Sequence, residues 1–289
     1  MPKEQKYSKL WFGVGILLAG NLAIWSGVLG KTHGDFARVN FFDVGQGDSI
    51  YIRTPQGNDI LIDGGPGDAV LSKLGRVLPY GDREIELVIV THPHADHVSG
   101  VVEVLKRFTV KQVLLSDLAY NSETYKTLLS MLAEKQIPVI RPKLGQRIFL
   151  DAFTVLDIYY PVSGVFKTPL KDVNEASTIA RLTLGRSHVL FTGDASKAQE
   201  ALLTGLGVPL AADILKVGHQ GSKTSSGEEF LARVNPDYGV IMVGKNSYGH
   251  PHSEVLSALA RQETQVLRTD ESGDVQFKIY PDRVELMEN

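Results

Sequence analysis

The longest apolar segment of the chain lies near its N-terminus. Residues 10–29 carry no charged side chain, and three lysines precede them within the first nine residues. As a helix, a segment of this length would span about 30 Å, the thickness of the hydrocarbon core of a membrane. The pattern therefore predicts one transmembrane helix.

The same segment predicts how the chain is placed in the cell. Because positive residues favour the cytoplasmic side, we expect a cytoplasmic tail over residues 1–9, a transmembrane anchor over 10–30, a linker over 31–37 and an extracytoplasmic domain over 38–289. The expected location is the cell membrane, with a single pass. The alternative is a signal peptide, with small residues near position 30 before the cut, which would leave a secreted protein.

After the linker, short apolar runs alternate with polar turns. Continuous or alternating apolar runs predict strands, and apolar residues at three- and four-residue spacing predict helices. The predicted strands cover residues 38–44, 49–53, 59–63, 87–90, 111–115, 137–141, 153–159, 179–184, 188–192, 213–217, 238–243, 275–279 and 284–286. The predicted helices cover residues 68–78, 97–108, 122–135, 197–203, 228–234 and 254–261.

The order of these elements indicates the fold class. Three strands form a meander, and strands and helices then alternate. This order predicts an α/β protein in which two sheets pack face to face with helices outside, an αββα sandwich. Since no linker rich in proline, glycine or serine interrupts residues 38–289, we expect one catalytic domain.

Composition narrows the chemistry that this domain can perform. The formal net charge of −3 gives no general attraction to polyanions, so a phosphate group would need a local cationic patch. The chain has no cysteine, which excludes a disulfide framework and a cysteine metal site. Histidine, aspartate and glutamate remain as the strong metal ligands.

Three of the eight histidines fall between residues 91 and 100, directly after an apolar strand. His92 and His94 alternate and can face one cation, whereas Asp96 and His97 follow at the turn into a helix and can bind a second. Gly100 allows that helix to approach closely. Imidazole and carboxylate groups suit zinc, manganese or iron, and two ions about 3.5 Å apart form a hydrolytic centre. The alternative is a solvated polar loop.

The sequence Thr-His-Pro-His-Ala-Asp-His over residues 91–97 resembles the HxHxDH signature of the metallo-β-lactamase superfamily. Four further motifs resemble, in order, those of the extracytoplasmic domain of the ComEC competence channel family: residues 42–49 (FDVGQGDS), 190–194 (LFTGD), 215–222 (LKVGHQGS) and 246–251 (NSYGHP). The resemblance runs from about residue 38 to the C-terminus, but this chain has one hydrophobic span where that family has many. It implies an αββα hydrolase with two divalent metal ions, Zn²⁺ or Mn²⁺.

The resemblance also implies the remaining metal ligands. Asp194 would bridge both ions; its alternative role is a cap of the following helix, and the two roles could coexist. His219 would join His92 and His94, and His250 would join Asp96 and His97. His252 lies two residues beyond His250 and is the competing choice, as a group that supports a ligand or contacts substrate. The catalytic residues are then Asp96 and Asp194, and the metal ligands are His92, His94, Asp96, His97, Asp194, His219 and His250.

Other residues are expected to support this centre. Asp43 and Asp63 end apolar strands beside glycines, and in the superfamily the second of these braces the ligand loop. Asn174 and Ser177 resemble a stretch of the family that lines the substrate groove. The family commonly has Pro-His-His-Gly-Ser where this chain has Gly-His-Gln-Gly-Ser, so Gln220 replaces a second histidine that can act as a general acid.

Residues on the ligand loops are candidates for substrate binding. Lysines that fall on the loops of His219 and His250 can hold phosphate oxygens, although each taken singly is as well explained as surface charge. The expected substrate-binding residues are Asn174, Ser177, Lys216, Gln220, Ser222, Lys223 and Lys245. The family resemblance and these lysines together make phosphodiesters the leading substrate class.

The most specific expectation is a membrane-anchored nuclease that degrades DNA outside the cell with a hydroxide bridging two metal ions, in contact with DNA-uptake machinery. The alternatives are a phosphodiesterase of cell-envelope polymers and a catalytically silent DNA-binding component of an uptake machine. Aromatic side chains along a groove would favour the nuclease, and Tyr159, Tyr160, Phe166 and Tyr248 are the candidates. The sequence leaves the oligomeric state open.

Overall fold

The computed structural model describes residues 11–18, 34–162 and 172–288. The chain divides into two units, Met1–Gly34 and Asp35–Asn289. In the first unit, residues 11–18 form a helix, α1. Among the described residues, no helix combines the length and the apolar character that crossing a membrane requires. Most of the anchor expected over residues 10–30 lies outside the described residues, and the anchor stays a prediction.

The second unit contains all the strands that the structure describes. They are β1 (Ala37–Phe41), β2 (Ile50–Arg53), β3 (Asp59–Ile62), β4 (Glu84–Ile85), β5 (Leu87–Val90), β6 (Thr109–Val110), β7 (Val113–Leu115), β8 (Val139–Ile140), β9 (Arg147–Phe149), β10 (Thr154–Tyr160), β11 (Ile179–Leu184), β12 (Ser187–Phe191), β13 (Ile214–Lys216), β14 (Tyr238–Ile241), β15 (Gln265–Arg268), β16 (Val275–Ile279) and β17 (Val284–Leu286). Its helices are α2 (Ala69–Val77), α3 (Ala95–Arg107), α4 (Glu123–Glu134), α5 (Lys197–Leu206), α6 (Glu228–Val234), α7 (Ser253–Arg261) and α8 (Thr269–Ser272).

The strands form two large sheets. The first has the order β17-β16-β1-β2-β3-β5-β7-β8, and the second has the order β15-β14-β13-β12-β11-β10-β9. In each sheet an antiparallel half joins a parallel half, since β3, β5, β7 and β8 run parallel and so do β12, β13, β14 and β15. The strands β4 and β6 form a small separate pair.

Three apolar layers hold the sheets and helices together. The layer between the sheets contains alternate side chains such as Ile60 of β3 and Phe191 of β12. The neighbouring residue Leu61 belongs to the layer beneath α2, α3 and α4, and Leu215 of β13 belongs to the layer beneath α5, α6 and α7. Because both faces of these strands are covered, they read as continuous apolar runs. The αββα sandwich expected from the sequence is confirmed.

The expected elements differ from the structure mainly at sheet edges. The strands β9 and β15 were not expected, because β15 is only partly buried and β9 carries the exposed Phe149. The helix expected from residue 97 begins at Ala95, so Asp96 and His97 lie in its first turn. The close approach expected at Gly100 is confirmed, since a Cβ there would lie 1.9 Å from the carbonyl oxygen of Gly64.

Candidate metal centre

Polar residues gather where the parallel strands of both sheets end. His92 and His94 follow β5, Asp194 follows β12, His219 follows β13 and His250 follows β14. Carboxyl ends of parallel strands meet at one edge of a sheet, and the face-to-face packing brings the two edges together.

One group of imidazoles surrounds His92. Its Nε2 lies 3.1 Å from Nδ1 of His94, and its ring lies 4.1 Å from that of His97. His92 is 1 % exposed, and burial, together with the neighbouring His97, holds the pKa of His92 well below its usual value. A neutral imidazole with an available nitrogen is the form that binds a metal ion.

Asp194 lies between the ligand residues of the two sheets. Its Oδ2 is 3.4 Å from Nε2 of His97 and 3.9 Å from Nε2 of His219. Although burial alone would raise the pKa of Asp194, His97 and Lys216 hold it well below its ordinary value. The carboxylate is therefore charged and central. Ser196, rather than Asp194, caps α5, so the capping alternative is wrong.

The ring of His97 has two different environments. Nδ1 lies 2.8 Å from Oδ2 of Asp63 and 3.9 Å from Oδ2 of Asp48. Nε2 faces Asp194 and Asp96, the latter at 3.8 Å. Burial opposes protonation of His97, but Asp194 and Asp63 raise its pKa well above the usual value. These carboxylates thus stabilise positive charge at the position of the ring.

His250 approaches this group from the loop after β14. Its ring lies 5.6 Å from that of His219 and 5.8 Å from that of His252. Burial and these two imidazoles lower the pKa of His250. His252 instead lies directly before α7 as its N-cap residue, and its backbone N–H donates to the carbonyl of Gly221. The structure thus places both histidines together, with His252 tied to the loop of His219.

Asp63 connects the end of β3 to the ligand loop. Its Oδ1 accepts a hydrogen bond from the backbone N–H of Thr91 at 2.9 Å, and its Oδ2 accepts one from the Thr91 hydroxyl at 2.5 Å. Asp43 has a more local role, because its Oδ1 accepts from the backbone of Gly45 and its own N–H donates to Asp274. Only Asp63 braces the histidine loop directly.

Lys216 is buried beneath the centre. Its ammonium group contacts Oδ2 of Asp48, donates to the carbonyl of Gly193 at 2.7 Å and lies 3.5 Å from Oδ1 of Asp194. Lys216 is 0 % exposed and Asp48 is 1 % exposed. Burial raises the pKa of Asp48 to about 7 against the opposing effect of Lys216. Lys216 therefore neutralises buried carboxylates. The expectation that Lys216 binds substrate is wrong, because its side chain is buried.

Gln220 lies beside a metal-ligand candidate. Its Nε2 donates to Oδ2 of Asp96 at 3.0 Å, and its Oε1 accepts from Nε2 of Gln46. Oε1 of Gln46 in turn accepts from the backbone N–H of Gly244 at 3.0 Å. A chain of hydrogen bonds thus joins three loops across the site. Where the family's second histidine would stand, this chain has an amide that orients a carboxylate.

The turn that carries His219 and Gln220 is held in an uncommon conformation. The two residues have φ values of 46° and 54°, in the left-handed region that is uncommon for residues other than glycine. Such conformations concentrate at functional sites, where the surrounding structure maintains them. Nδ1 of His219 lies 3.1 Å from the Thr224 hydroxyl, which leaves Nε2 toward Asp194.

The expected serine and asparagine residues lie near the candidate ligands. The Ser177 hydroxyl lies 3.3 Å from Nδ1 of His92 and accepts a hydrogen bond from the backbone N–H of Asp194 at 3.0 Å. Nδ2 of Asn174 lies 3.4 Å from Nε2 of His219. Ser222 is buried and contacts Thr224. Ser177 and Ser222 therefore help to position candidate ligands, whereas Asn174 lies beside Nε2 of His219.

Cations and one aromatic ring surround the site at the surface. Lys223 and Lys245 are exposed on the loops of His219 and His250. Tyr248 is 69 % exposed and its ring lies 5.7 Å from that of His250. Tyr159 and Tyr160 belong to the core. Phe166, the remaining aromatic candidate, lies outside the described residues.

Known proteins share the fold of this chain and part of its sequence. Residues 42–245 match the metallo-beta-lactamase superfamily. This chain belongs to that superfamily. A solved metallo-beta-lactamase fold protein, YhfI from Bacillus subtilis, is similar in structure with a TM-score of 0.57 and 13 % identity, covering 84 % of this chain and 99 % of the other. The structural likeness concerns the fold.

Curated proteins are also similar in sequence, among them Competence protein ComA of Neisseria gonorrhoeae, which is 28 % identical over 83 % of this chain and 32 % of its own length. ComE operon protein 3 of Bacillus subtilis is 30 % identical over 85 % of this chain and 33 % of its own length. Recombination protein 2 of Haemophilus influenzae is 28 % identical over 87 % of this chain and 30 % of its own length. This superfamily member spans about a third of each of these relatives.

The donor set of this superfamily member fits a divalent metal centre. Ligand atoms of His92, His97 and Asp194 lie within 4.8 Å of one another. Nε2 of His97 and Nδ1 of His250 are buried and have no hydrogen-bond partner among the described residues. A second group, Asp48, Asp63 and His97, is equally compact. Its carboxylates face Nδ1 of His97 and Lys216, so we interpret it as the support of the first group.

Several residues that support the candidate metal centre were not expected from the sequence. Thr91 and Thr224 hold ligand loops, Gln46 holds Gln220, and Asp48 pairs with Lys216. Gln46 and Asp48 lie inside the GQGD turn between two predicted strands. The only local sign of their role is that polar residues interrupt two buried strands. Their partners are far away in the sequence, and no local pattern identifies them.

Proposed function

We propose that this chain is a metal-dependent phosphodiesterase that cleaves DNA outside the cytoplasm during DNA uptake. The observation that carries the proposal is the convergence of His92, His97 and His219 on the charged Asp194. The competence-related names of its relatives favour DNA among phosphodiesters. Single-pass attachment to the cell membrane through residues 10–30 is part of the proposal.

In this proposal the metal ligands are His92, His94, Asp96, His97, Asp194, His219 and His250. The chemistry that two divalent ions supply at such a centre is Lewis acidity, which polarises a phosphoryl oxygen and lowers the pKa of water. Zn²⁺ and Mn²⁺ both suit imidazole and carboxylate ligands. Asp63 keeps the proton of His97 on Nδ1 and presents Nε2 as the ligand atom.

The residues at the mouth of the site would bind and orient the substrate. Lys223 and Lys245 are exposed cations that can hold phosphate oxygens, and Asn174 offers an amide next to His219. The exposed ring of Tyr248 can stack on a base. Gln220 does not titrate, so the proton for a leaving group must come from another source, such as solvent.

The test uses the full chain, purified in detergent and supplied separately with Zn²⁺ and Mn²⁺. Cleavage of single-stranded DNA, double-stranded DNA, a teichoic-acid polymer and a small phosphodiester is measured for the wild type, Asp194→Asn and Asp117→Asn. Asp117 is an exposed carboxylate paired with Arg141 and serves as the matched control. We expect the Asp194 variant to lose at least about a hundredfold in DNA cleavage, because the central ligand charge is removed.

The outcomes separate the proposal from its alternatives. Cleavage of the polymer but not of DNA would identify an envelope phosphodiesterase. DNA binding without cleavage, and without metal in the purified chain, would identify a silent binding component. DNA cleavage that is equal in the wild type and Asp194→Asn would show that another site, or a contaminant, is responsible.

A further inference from the structure

A second polar cavity lies away from the metal-ligand residues. It has a volume of about 620 Å³ and lies between α2 and the strands β1, β2 and β16. Arg38 and Asn40 of β1 line it and alternate with Val39, which belongs to the layer between the sheets. The cavity therefore opens on the helix-facing side of the first sheet. Lys73 and Arg76 of α2 line its other wall.

Positive side chains face one another across the strands at this cavity. Arg38 is directly opposite Arg53 on β2 and Lys278 on β16. Residues directly opposite on antiparallel strands share a face, and like charges in such positions repel. Asp59 neutralises Arg53 through two contacts of 2.8 Å.

Arg38 and Lys278 lack such a neutralising partner. Within residues 11–18, 34–162 and 172–288, neither forms an ion pair with a carboxylate, and both lie over the ring of Phe36 instead, at 5.6 and 5.2 Å. A ring face attracts a cation only weakly at an exposed position. This row of cations across β2, β1 and β16 therefore retains positive charge, which a bound anion would compensate.

A buried donor faces the same region. Asn40 is 2 % exposed, and its Nδ2 has no hydrogen-bond partner in the part of the chain that the structure describes. It lies one row further along the sheet from Arg38, between Tyr51 and Gln276. Nearly all buried donors in folded proteins find an acceptor, and a buried donor without one costs free energy. An oxygen atom supplied by a ligand would remove this cost at Asn40.

The helix contributes two more cations. Nζ of Lys73 lies 2.6 Å from Oδ1 of Asp274, the carboxylate that lines the cavity. Arg76 is exposed and forms no ion pair with any residue that the structure describes. The lining thus combines three cations with one carboxylate. Guanidinium groups present several donors in a plane, an arrangement that suits the oxygens of a phosphate.

We propose that this cavity binds a phosphate group through Arg38, Arg76, Lys73 and the amide of Asn40. A tetrahedral oxyanion offers enough acceptors for donors that come from a sheet and a helix at once. Free phosphate and the phosphodiester backbone of a polymer share this chemistry. Binding here needs no metal ion, so the inference is independent of the hydrolytic activity proposed above.

The test measures binding to the full chain in detergent with excess chelator, which removes any contribution of a metal centre. Inorganic phosphate is titrated by calorimetry, and a short fluorescent oligonucleotide is titrated by anisotropy. The pocket variants are Arg38→Gln combined with Arg76→Gln, and Asn40→Asp, which replaces the donor with an acceptor of the same shape. The matched control is Lys111→Gln combined with Arg283→Gln, which removes two exposed cations elsewhere.

We expect each pocket variant to weaken binding by about tenfold or more, with the control within about twofold of the wild type. Loss of phosphate binding would identify the free group as a ligand, and loss of oligonucleotide binding alone would identify the polymer backbone. The inference fails if the wild type binds neither ligand or if the control variant loses as much as the pocket variants. Should Asn40→Asp not fold, the paired arginine variant decides, because both arginines are exposed.

Discussion

Nδ1 of His97 donates a hydrogen bond to Oδ2 of Asp63 at 2.8 Å, joining residues 34 positions apart. A proton on Nδ1 would leave Nε2 as the atom that faces a metal ion, and the same carboxylate holds Thr91 beside His92. Two neighbouring ligand candidates are therefore oriented by one buried side chain, which is 0 % exposed.

We expect Asp63→Asn to lower the affinity for divalent metal by about 10- to 100-fold, because partners behind a ligand tune its orientation and basicity. Asparagine tolerates the left-handed φ of 55° at this position, but its amide cannot accept every hydrogen bond that the carboxylate accepts. Competition with a chelating dye gives the affinity. An affinity equal to that of Asp117→Asn, the exposed control, would contradict the role of Asp63.

We expect Lys216→Met to lower the free energy of unfolding by about 3–5 kcal/mol, because it leaves the buried carboxyl groups of Asp48 and Asp194 without their compensating cation. The double variant Lys216→Met with Asp48→Asn removes both charges and should recover part of this loss. Urea unfolding in excess chelator measures both. A double variant that is less stable than the single one would show that the pair does not act as a unit.

We expect Gln220→Asn to lower the turnover number by about tenfold, because the shorter side chain keeps the amide and tolerates the backbone conformation but no longer reaches Asp96. Gln46→Ala should have a smaller effect in the same direction, since Gln46 acts through Gln220. Steady-state kinetics of the single and double variants give the comparison. Fully additive effects would argue against a shared chain of hydrogen bonds.

Glu200 of α5 predicts a pH dependence of stability. It is 1 % exposed and accepts hydrogen bonds from the backbone N–H groups of Ser226 and Gly227. Burial outweighs these bonds and raises its pKa from 4.5 to about 7. Between these two pH values the folded chain binds more protons than the unfolded chain, so the free energy of unfolding falls as the pH rises.

We therefore expect the wild type to lose about 3 kcal/mol relative to Glu200→Gln as the pH rises from 4.5 to above 7. The glutamine does not titrate, so a constant difference reflects its altered hydrogen bonds and only the slope reflects Glu200. Urea unfolding at several pH values, with chelator present, measures the difference. Parallel stability profiles would show that the pKa of Glu200 is the same in the folded and unfolded chains.

The layered fold could be predicted from local patterns. Strands such as β3 and β5 are apolar on both faces because helices cover one face and a second sheet covers the other. Each of these strands therefore appears in the sequence as a short continuous apolar run. The position of the histidine loop after β5 was also predictable from a local pattern. A buried strand ends at the edge of its sheet, so the histidines that follow it must lie at that edge. Edge strands such as β15 were missed because partial burial leaves no such pattern.

The sequence by itself thus determined the αββα architecture, the superfamily signature and the chemical nature of the candidate ligands. Only the tertiary structure decided that Lys216 neutralises Asp48, that Gln220 orients Asp96 and that Arg38 faces Lys278. The physical reason is that charge and hydrogen-bond pairing depend on distance in space. Residues 124 positions apart, such as Asp96 and Gln220, meet because two sheet edges pack together, and no spacing along the chain encodes that contact.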